Sequence, residues 1–282
     1  MNKWVLILLL LFTSWGWSFC DTGNTEKSVI KNSGKKINLR TLHKYDPMVE
    51  KDICQPDTDK FGKGLVSLTF DDGWKEIYLN AVPVLNQSGI KSTQYVSTTE
   101  LRYNDRYHNY MSIEDVLNME RMGHEIGSHA VNHIRLNKLN EADINFQLEK
   151  SREELIGMGI KSIDTFAPPY GEYTDYLTVA TGRNYIATRM ADPGMNDRET
   201  DPQLLYGYQM ENWMVFDPYM KRLVSRAFKE KKWMIFIFHQ VAKPDYRYYT
   251  SPGDLQSLVD YLIINKIPVM PVRDVIKKCY PN

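Results

Sequence analysis

Four short segments of this 282-residue chain carry side chains whose types and spacing suit hydrolytic chemistry. In the first, Thr69–Gly73, two adjacent carboxylates, Asp71 and Asp72, follow a predicted strand. Neighbouring carboxylates cannot both play the same role, so one can bind a metal while the other stays free as a base. Taken alone, an Asp-Gly pair is equally typical of an ordinary turn.

The second segment places His129 and His133 four residues apart. At that spacing, two side chains lie on one face of a helical turn and can reach the same metal ion. With Asp72 they provide two imidazoles and one carboxylate, which leave coordination positions open for water and substrate, as catalytic zinc does. We interpret the nearby His124 as structural or as a support for the metal ligands.

The third segment, Phe166–Gly171, holds two prolines after a predicted strand. The rigid loop that follows Pro169 could turn the backbone N–H of Tyr170 toward a developing oxyanion. The fourth segment ends an apolar strand with His239, whose imidazole suits general acid catalysis at a rim. A stiff connector and a packed histidine are the simpler interpretations of these two segments when each is taken alone.

Alternating strands and helices from residue 64 to 282 are the elements that must position these segments. Strands are predicted over 65–70, 92–96, 124–128, 162–166, 185–188, 233–238 and 268–272, and helices over 75–87, 112–123, 141–157, 173–180, 217–230 and 253–265. This alternation predicts a parallel (β/α) barrel. Because such barrels gather their chemistry at the C-terminal ends of the strands, the four segments are expected to meet at one edge.

The composition disfavours several classes of protein. Lys plus Arg and Asp plus Glu are both 35, so there is no basic excess for a nucleic-acid partner. A hydrophobic share of 43% and a charged share of 25% disfavour disorder and a multi-span membrane protein. Three cysteines are too few for a disulfide scaffold. The aromatic share of 12% suits an uncharged, ring-shaped ligand such as a sugar.

The N-terminus predicts export. Residues 4–12 are apolar behind Lys3, and the uncharged stretch ends at Phe19, which is short for a spanning helix. We therefore predict a signal peptide over 1–19 and a mature protein in the periplasm, the cell envelope or the extracellular space. A lipid anchor at Cys20 and an uncleaved anchor are the alternatives, so membrane attachment is expected through the N-terminus only.

The rest of the chain divides into a polar N-terminal extension over 20–63 and one catalytic domain over 64–282. Cys54 lies just before that domain and Cys279 near its end. In an oxidising compartment, a disulfide between them would join the two ends of the domain. Two unpaired thiols are the alternative.

The order of the four segments resembles the polysaccharide deacetylases, carbohydrate esterase family 4, also called the NodB-homology domain, over about residues 64–275. The matching motifs are Thr69–Gly73, the His129 and His133 pair, Pro169-Tyr170 and Ile237–His239. The resemblance implies an α/β fold of the NodB-homology type, a distorted, incomplete (β/α) TIM-like barrel. It also implies a divalent metal cofactor, usually zinc, and a polysaccharide substrate.

The resemblance also implies a role for each matching residue. Asp71 is the base, and Asp72, His129 and His133 hold the metal. The metal polarises an acetamide carbonyl and binds the attacking water, whose proton Asp71 takes. The metal and the Tyr170 N–H hold the oxyanion, and His239 protonates the leaving amine.

Two positions depart from the family pattern. A Ser or Thr usually follows the first histidine, and its hydroxyl would brace the loop. Ala130 stands at this position and has no hydroxyl. Ala167 stands where an arginine usually braces the base. Asp71 therefore lacks a cation that would favour its charged form, unless Arg183 or Arg189 replaces that arginine.

The family's Asp/Arg/Trp motif, between the third and last motifs, is also not evident in this chain. Trp213 and the stretch 206–208, with its two tyrosines, lie in that interval. They are candidates for lining a substrate groove, and core aromatics are the alternative interpretation.

Together these features predict an exported, metal-dependent hydrolase that removes N-acetyl groups from an N-acetylglucosamine-type polysaccharide, with metal-bound water as nucleophile. An O-acetyl esterase or a deformylase acting on an envelope glycan would use the same residues. A catalytically silent carbohydrate-binding protein is the alternative from another class. The presence of both aspartates and of all three motif histidines argues against that alternative.

Overall fold

A parallel sheet of seven strands lies at the centre of this protein, in a computed structural model that describes residues 44–54, 61–102, 109–211, 218–242 and 248–280. The strands are β1 (Leu65–Phe70), β2 (Thr93–Val96), β3 (Glu125–Ser128), β4 (Thr165–Phe166), β5 (Ala187–Thr188), β6 (Tyr208–Gln209) and β7 (Trp233–Phe238). Their order across the sheet is β5-β4-β3-β2-β1-β7-β6. The sheet is curled and accompanied by helices, so the predicted incomplete (β/α) barrel is confirmed.

The two edges of the sheet, β5 and β6, approach each other without pairing as strands within the described residues. An isolated parallel bridge joins Arg189, just after β5, to Leu205, just before β6. In this bridge the N–H of Leu205 donates to Thr188 at 3.0 Å, and the N–H of Met190 donates to Leu205 at 2.8 Å. A few hydrogen bonds between the segment after β5 and the segment before β6 thus partly close the barrel.

The helices of the described residues have mostly conventional starts. They are α1 (Val82–Ser88), α2 (Ile113–Arg121), α3 (Glu141–Gly157), α4 (Asp175–Asn184), α5 (Pro218–Glu230), α6 (Pro252–Ile264) and α7 (Val272–Cys279), with a wider π-type turn, Ile77–Ala81, leading into α1. Side chains cap four of them at Ser112, Asn140, Thr174 and Ser251. None of the helices in these described ranges is long and apolar enough to cross a membrane.

The core is built around β1 and β7, whose residues are all buried. The two strands pair in register over six residues, and the rings of Phe70 and Phe238 stack with centroids 5.1 Å apart. The predicted bounds of both strands are confirmed. They could be recognised in the sequence because a short apolar run between turn residues is typical of a strand buried on both faces.

The predicted strand over 268–272 is wrong. Val269 makes a single isolated bridge with Val66, and helix α7 begins three residues later. Pro271 has no N–H with which to continue the pairing, and it stands at the helix N-cap position instead. The strands predicted over 162–166 and 185–188 also shorten, to two residues each.

Helix α7 is attached to the sheet through its N-terminus, although its cap residue offers no side-chain hydrogen bond. The N–H of Val272 donates to Oγ1 of Thr93 at 3.0 Å, and the N–H of Arg273 donates to Oε2 of Glu125 at 2.9 Å. Burial raises the pKa of Glu125. Polar side chains inside the barrel thus satisfy helix donors that would otherwise be unpaired.

The end of the polar extension packs against the same core. Ile53 and Phe61 are buried with residues of β7 and α7. The structure joins Cys54 to Cys279 in a disulfide, with Cα atoms 5.0 Å apart, so the extension is tied to α7. The signal peptide and Cys20 fall within residues 1–43, which lie outside the described residues.

Candidate active site

The register of the sheet brings the four sequence segments to one edge. β1 and β7 end in register, so Asp71 and His239 follow neighbouring strands at the same level. β3, β4 and β5 also end in register, and the residues that follow them are His129, Ala167 and Arg189. Strand pairing alone therefore explains why residues far apart in sequence come together.

Asp72, His129 and His133 converge on one point. Oδ1 of Asp72 lies 3.5 Å from Nε2 of His129 and 3.2 Å from Nε2 of His133. One ligand atom from each residue lies within 4.8 Å of the others. Nδ1 of His129 donates a hydrogen bond to the carbonyl of Ala167 at 2.6 Å. Because a carbonyl can only accept, this bond fixes the tautomer and leaves a lone pair on Nε2.

This donor set fits a divalent cation. Oδ1 of Asp72 is buried and receives no hydrogen bond from the described residues. A buried carboxylate oxygen that faces the lone pair of an imidazole is repelled by it, and a cation between the two atoms turns that repulsion into binding. Without a metal, a proton on Nε2 would serve the same purpose. Burial opposes the charge of Asp72, but such imidazolium donors hold its pKa well below its usual range. The carboxyl of Asp72 is therefore ionised at neutral pH.

His129 and His133 lie on a loop, so the predicted helical turn is wrong. Their ring centroids are 5.2 Å apart, although residues 129–134 form no helix. Ala130 has a φ of 68°, a left-handed conformation that costs a non-glycine residue roughly 1–2 kcal/mol. Oε1 of Gln147, on α3, accepts hydrogen bonds from the N–H groups of Val131 and Asn132 at 3.1 and 3.0 Å. Gln147 thus braces the loop that lacks the motif hydroxyl.

Arg189 provides the cation that Ala167 does not. Its Nη2 donates to both carboxylate oxygens of Asp71, at 2.6 Å each. The two side chains are only 1% and 5% exposed. The guanidinium carbon lies 5.1 Å from the ring centroid of Tyr95. Arg183, the other sequence candidate, is exposed on α4, so Arg189 is the arginine that contacts Asp71.

A cleft of about 250 Å³ opens onto these residues. It is lined by the sequence candidates Asp71, Asp72, His129, His133, Tyr170 and His239. Sequence reasoning did not identify Arg135, Gln209 and Tyr248, which also line the cleft. They come from loops and from the two-residue strand β6, where no local pattern indicates a site.

His239 is half-buried at the end of β7. Its Nδ1 is buried and has no hydrogen-bond partner among the described residues. The imidazole lies 5.4 Å from the ring of Tyr248, measured between centroids. Within the described part of the chain, therefore, no carboxylate orients this imidazole, and the contact with an aromatic ring limits its position.

The loop with Pro169 and Tyr170 is held in a narrow turn. Tyr170 has a φ of 64° and is 51% exposed. Its ring contacts both His133 and Arg135, at 4.6 Å from the imidazole centroid and 4.4 Å from the guanidinium carbon. A Cβ at Gly171 would lie 2.3 Å from that of Ala191, so only glycine fits there. The turn thus fixes Tyr170 beside His133.

The remaining sequence candidates lie elsewhere. His124 is buried away from the cleft, and burial lowers its pKa to about 4, so it is a neutral structural residue. Trp213 lies outside the described residues. Tyr206 is 43% exposed, and β6 contributes Gln209 to the cleft lining.

Two curated relatives match part of this chain. A putative polysaccharide deacetylase of Bacillus subtilis is 26% identical over 135 residues, which are 48% of this chain and 47% of that protein. A peptidoglycan-N-acetylglucosamine deacetylase of Bacillus cereus is 30% identical over 128 residues, which are 45% of this chain and 44% of that protein. The matched stretch therefore spans about half the length of these relatives.

A solved structure shares the fold over a longer stretch. The crystal structure of a peptidoglycan N-acetylglucosamine deacetylase superposes with a TM-score of 0.54 at 19% identity, covering 78% of this chain and 91% of the other. Residues 58–186 match the profile of the family described as polysaccharide deacetylase, and this range contains Asp71, Asp72, His129 and His133. On this evidence residues 58–186 form a domain of the polysaccharide deacetylase family.

Proposed function

We propose that this protein is an exported, metal-dependent enzyme that hydrolyses the acetamide of N-acetylhexosamine units in a polysaccharide. One observation carries the proposal. A carboxylate and two imidazoles converge within 4.8 Å, beside the carboxylate of Asp71, which is held by Arg189. His239 lines the same cleft. Amide hydrolysis needs a Lewis acid, a base and an acid together, and this cleft provides a candidate for each.

Asp72, His129 and His133 would hold the metal, and we propose zinc because imidazole and carboxylate ligands suit it. When bound, the metal supplies a Lewis acid that polarises the acetamide carbonyl and activates water. The hydrogen bond from His129 to Ala167 directs Nε2 at the site and, in the neutral ring, leaves its lone pair for the metal.

The side chains around the metal site divide the proton transfers between them. Asp71 accepts the proton of the attacking water, and Arg189 keeps both of its oxygens in place. The backbone of Tyr170, in its left-handed conformation, offers its N–H to the oxyanion. His239 donates a proton to the leaving nitrogen as the C–N bond breaks, which releases acetate and a free amine.

Several observations support the proposed substrate class and compartment. The names of the relatives include peptidoglycan-N-acetylglucosamine deacetylase and chitin deacetylase, which supports an N-acetylglucosamine-type polymer. The exposed ring of Tyr170 at the cleft suits a sugar surface. The disulfide between Cys54 and Cys279 supports export, because disulfides persist in oxidising compartments.

Acetate release from four polymers tests the proposal: chitin oligomers, peptidoglycan, β-1,6-linked N-acetylglucosamine polymer and acetylated xylan. We expect release from at least one of the amide substrates, loss of activity on chelation and recovery with zinc. Release from acetylated xylan alone would indicate an esterase. Sugar binding without turnover at any metal loading would contradict the proposal and indicate a catalytically silent binding protein.

A further inference from the structure

The two carboxylate oxygens of Asp72 have different partners. Oδ1 faces Nε2 of His129 at 3.5 Å and Nε2 of His133 at 3.2 Å. Oδ2 accepts a hydrogen bond from the indole Nε1 of Trp74 at 3.0 Å. The single N–H donor of this indole is therefore directed at a proposed metal ligand, on the oxygen that points away from the histidines.

The backbone places Trp74 beside Asp72 through a tight turn. Asp72 and Gly73 have left-handed φ values of 71° and 81°, which turn the chain sharply after β1. The N–H of Met111 donates to the carbonyl of Gly73 at 2.8 Å, and Trp74 forms an antiparallel bridge with Tyr110. The indole also stacks on the Tyr110 ring, with centroids 4.8 Å apart and an interplanar angle of 30°. Backbone pairing and ring stacking thus hold the indole in place.

We propose that Trp74 is a positioning residue of the metal centre. Its indole N–H holds Oδ2 of Asp72, so that Asp72 offers Oδ1 as a single ligand atom beside the two histidines. A carboxylate fixed in this way cannot rotate to present both oxygens, which leaves coordination positions for water and substrate. The inference rests on the metal centre of the proposed function and extends it to a residue outside the ligand set.

The alternative is that Trp74 only packs. Hydrogen bonds to metal ligands typically change metal affinity by about 10–100-fold when they are removed, whereas a packing contact changes stability and leaves affinity alone. Zinc affinity and thermal stability therefore separate the two roles. Both are measurable without substrate, so the test does not depend on the enzyme being active.

The chain offers a matched control in Trp233. Its Nε1 donates to Oγ of Ser67 at 3.0 Å, so it is also an indole with a protein hydrogen bond. It stands at the opposite end of β7 from His239 and is fully buried. Five residues separate it from His239, a distance of roughly 20 Å along the strand.

The experiment compares Trp74→Phe and Trp233→Phe with the parent protein. Zinc affinity is measured by competition with a chromophoric chelator, and thermal unfolding is measured on the metal-free proteins. Trp74→Phe removes the N–H donor and, although its ring is smaller than the indole, keeps an aromatic ring against Tyr110. We expect it to bind zinc about 10–100-fold more weakly while its metal-free melting temperature stays close to the parent's. We expect Trp233→Phe to melt lower and to bind zinc as the parent does.

Two results would overturn this inference, and they differ in what else they contradict. If the parent binds zinc and Trp74→Phe binds it equally tightly, the positioning role is wrong and the proposed function stands. If the parent binds no zinc, the proposed metal centre fails, and the role of Trp74 fails with it.

Discussion

One guanidinium nitrogen of Arg189 donates to both carboxylate oxygens of Asp71, at 2.6 Å each, in an ion pair that is almost completely buried. The register of the sheet explains how an arginine reaches this position. Phe166 pairs with Thr188, so Ala167 and Arg189 follow neighbouring strands at the same level. The arginine that the family motif places at Ala167 is thus replaced by one on the adjacent strand.

Arg189→Met should remove both hydrogen bonds while keeping much of the side-chain volume. Asp71 would then be a buried carboxylate without a partner, a change that typically destabilises a protein by about 3–5 kcal/mol. Because the base is no longer held, we expect turnover to fall by about 10²–10⁴-fold. Acetate release and urea unfolding check the two effects. Arg183→Met, on the exposed face of α4, should change neither, and unaltered turnover in Arg189→Met would refute the role of the ion pair.

Adding Ala167→Arg to the Arg189→Met variant should restore part of the lost turnover. The new arginine would start from the motif position, one strand away and at the same level as Arg189. In the parent background, Ala167→Arg should lower activity instead, because two guanidinium groups would compete for Asp71 in a buried site. A double variant no more active than Arg189→Met alone would show that the two positions are not equivalent.

Asp71→Asn and Asp72→Asn should have different effects, although the residues are adjacent, because Asp71 is the proposed base and Asp72 is a proposed metal ligand. Asp72 faces both metal-site histidines, whereas Asp71 pairs with Arg189. We therefore expect Asp71→Asn to bind zinc as the parent does and to lose hydrolysis, and Asp72→Asn to lose zinc affinity as well. Chelator competition and acetate release measure the two properties. Full activity in Asp71→Asn would rule out its role as the base.

The strands could be predicted from the sequence where the residues of one strand form a clear apolar run. β1 and β7 are apolar runs of six residues between turn signals, and their bounds were correct. β4, β5 and β6 are two residues long. Their pairing depends on how the barrel approaches closure, which no local pattern encodes. The predicted strand over 268–272 failed because a single apolar run cannot distinguish one bridge followed by a helix from a continuous strand.

The residues of the candidate site that belong to motifs could be predicted, because motif spacing identifies them. The residues that support them could not. Arg189 could not be distinguished from Arg183, since sequence does not give the strand register. The contact of Gln147 with the histidine loop joins residues 15 and 16 positions apart. Trp74 is adjacent to the motif in sequence, but the direction of its N–H depends on a left-handed turn.

His239→Gln should lower turnover by about 10²–10⁴-fold and leave zinc affinity unchanged. The side chain lines the cleft beside the metal-site residues, but it does not belong to the cluster of ligand atoms. Glutamine retains a hydrogen-bond donor but cannot deliver a proton to a leaving amine. Acetate release and chelator competition measure the outcome. If zinc affinity falls in parallel with turnover, His239 acts as a ligand and its role as the acid is wrong.

His124 should make the fold sensitive to acid independently of the active site. Its ring accepts a hydrogen bond from the N–H of Ser92 at 3.2 Å, and burial, followed by the nearby Lys91, lowers its pKa from 6.5 to about 4. The folded state therefore favours the neutral ring. The stability that this preference provides is complete above about pH 6.5 and is lost as the pH falls toward 4.

The size of this effect follows from the difference between the folded and unfolded pKa values. Between about pH 8 and about pH 4, the parent should lose roughly 3 kcal/mol of unfolding free energy more than His124→Gln, whose side chain does not titrate. Urea unfolding of both proteins at the two pH values gives this difference directly and cancels the titration of groups that they share. Free energies that fall in parallel in the two proteins would show that His124 is not a source of the acid sensitivity.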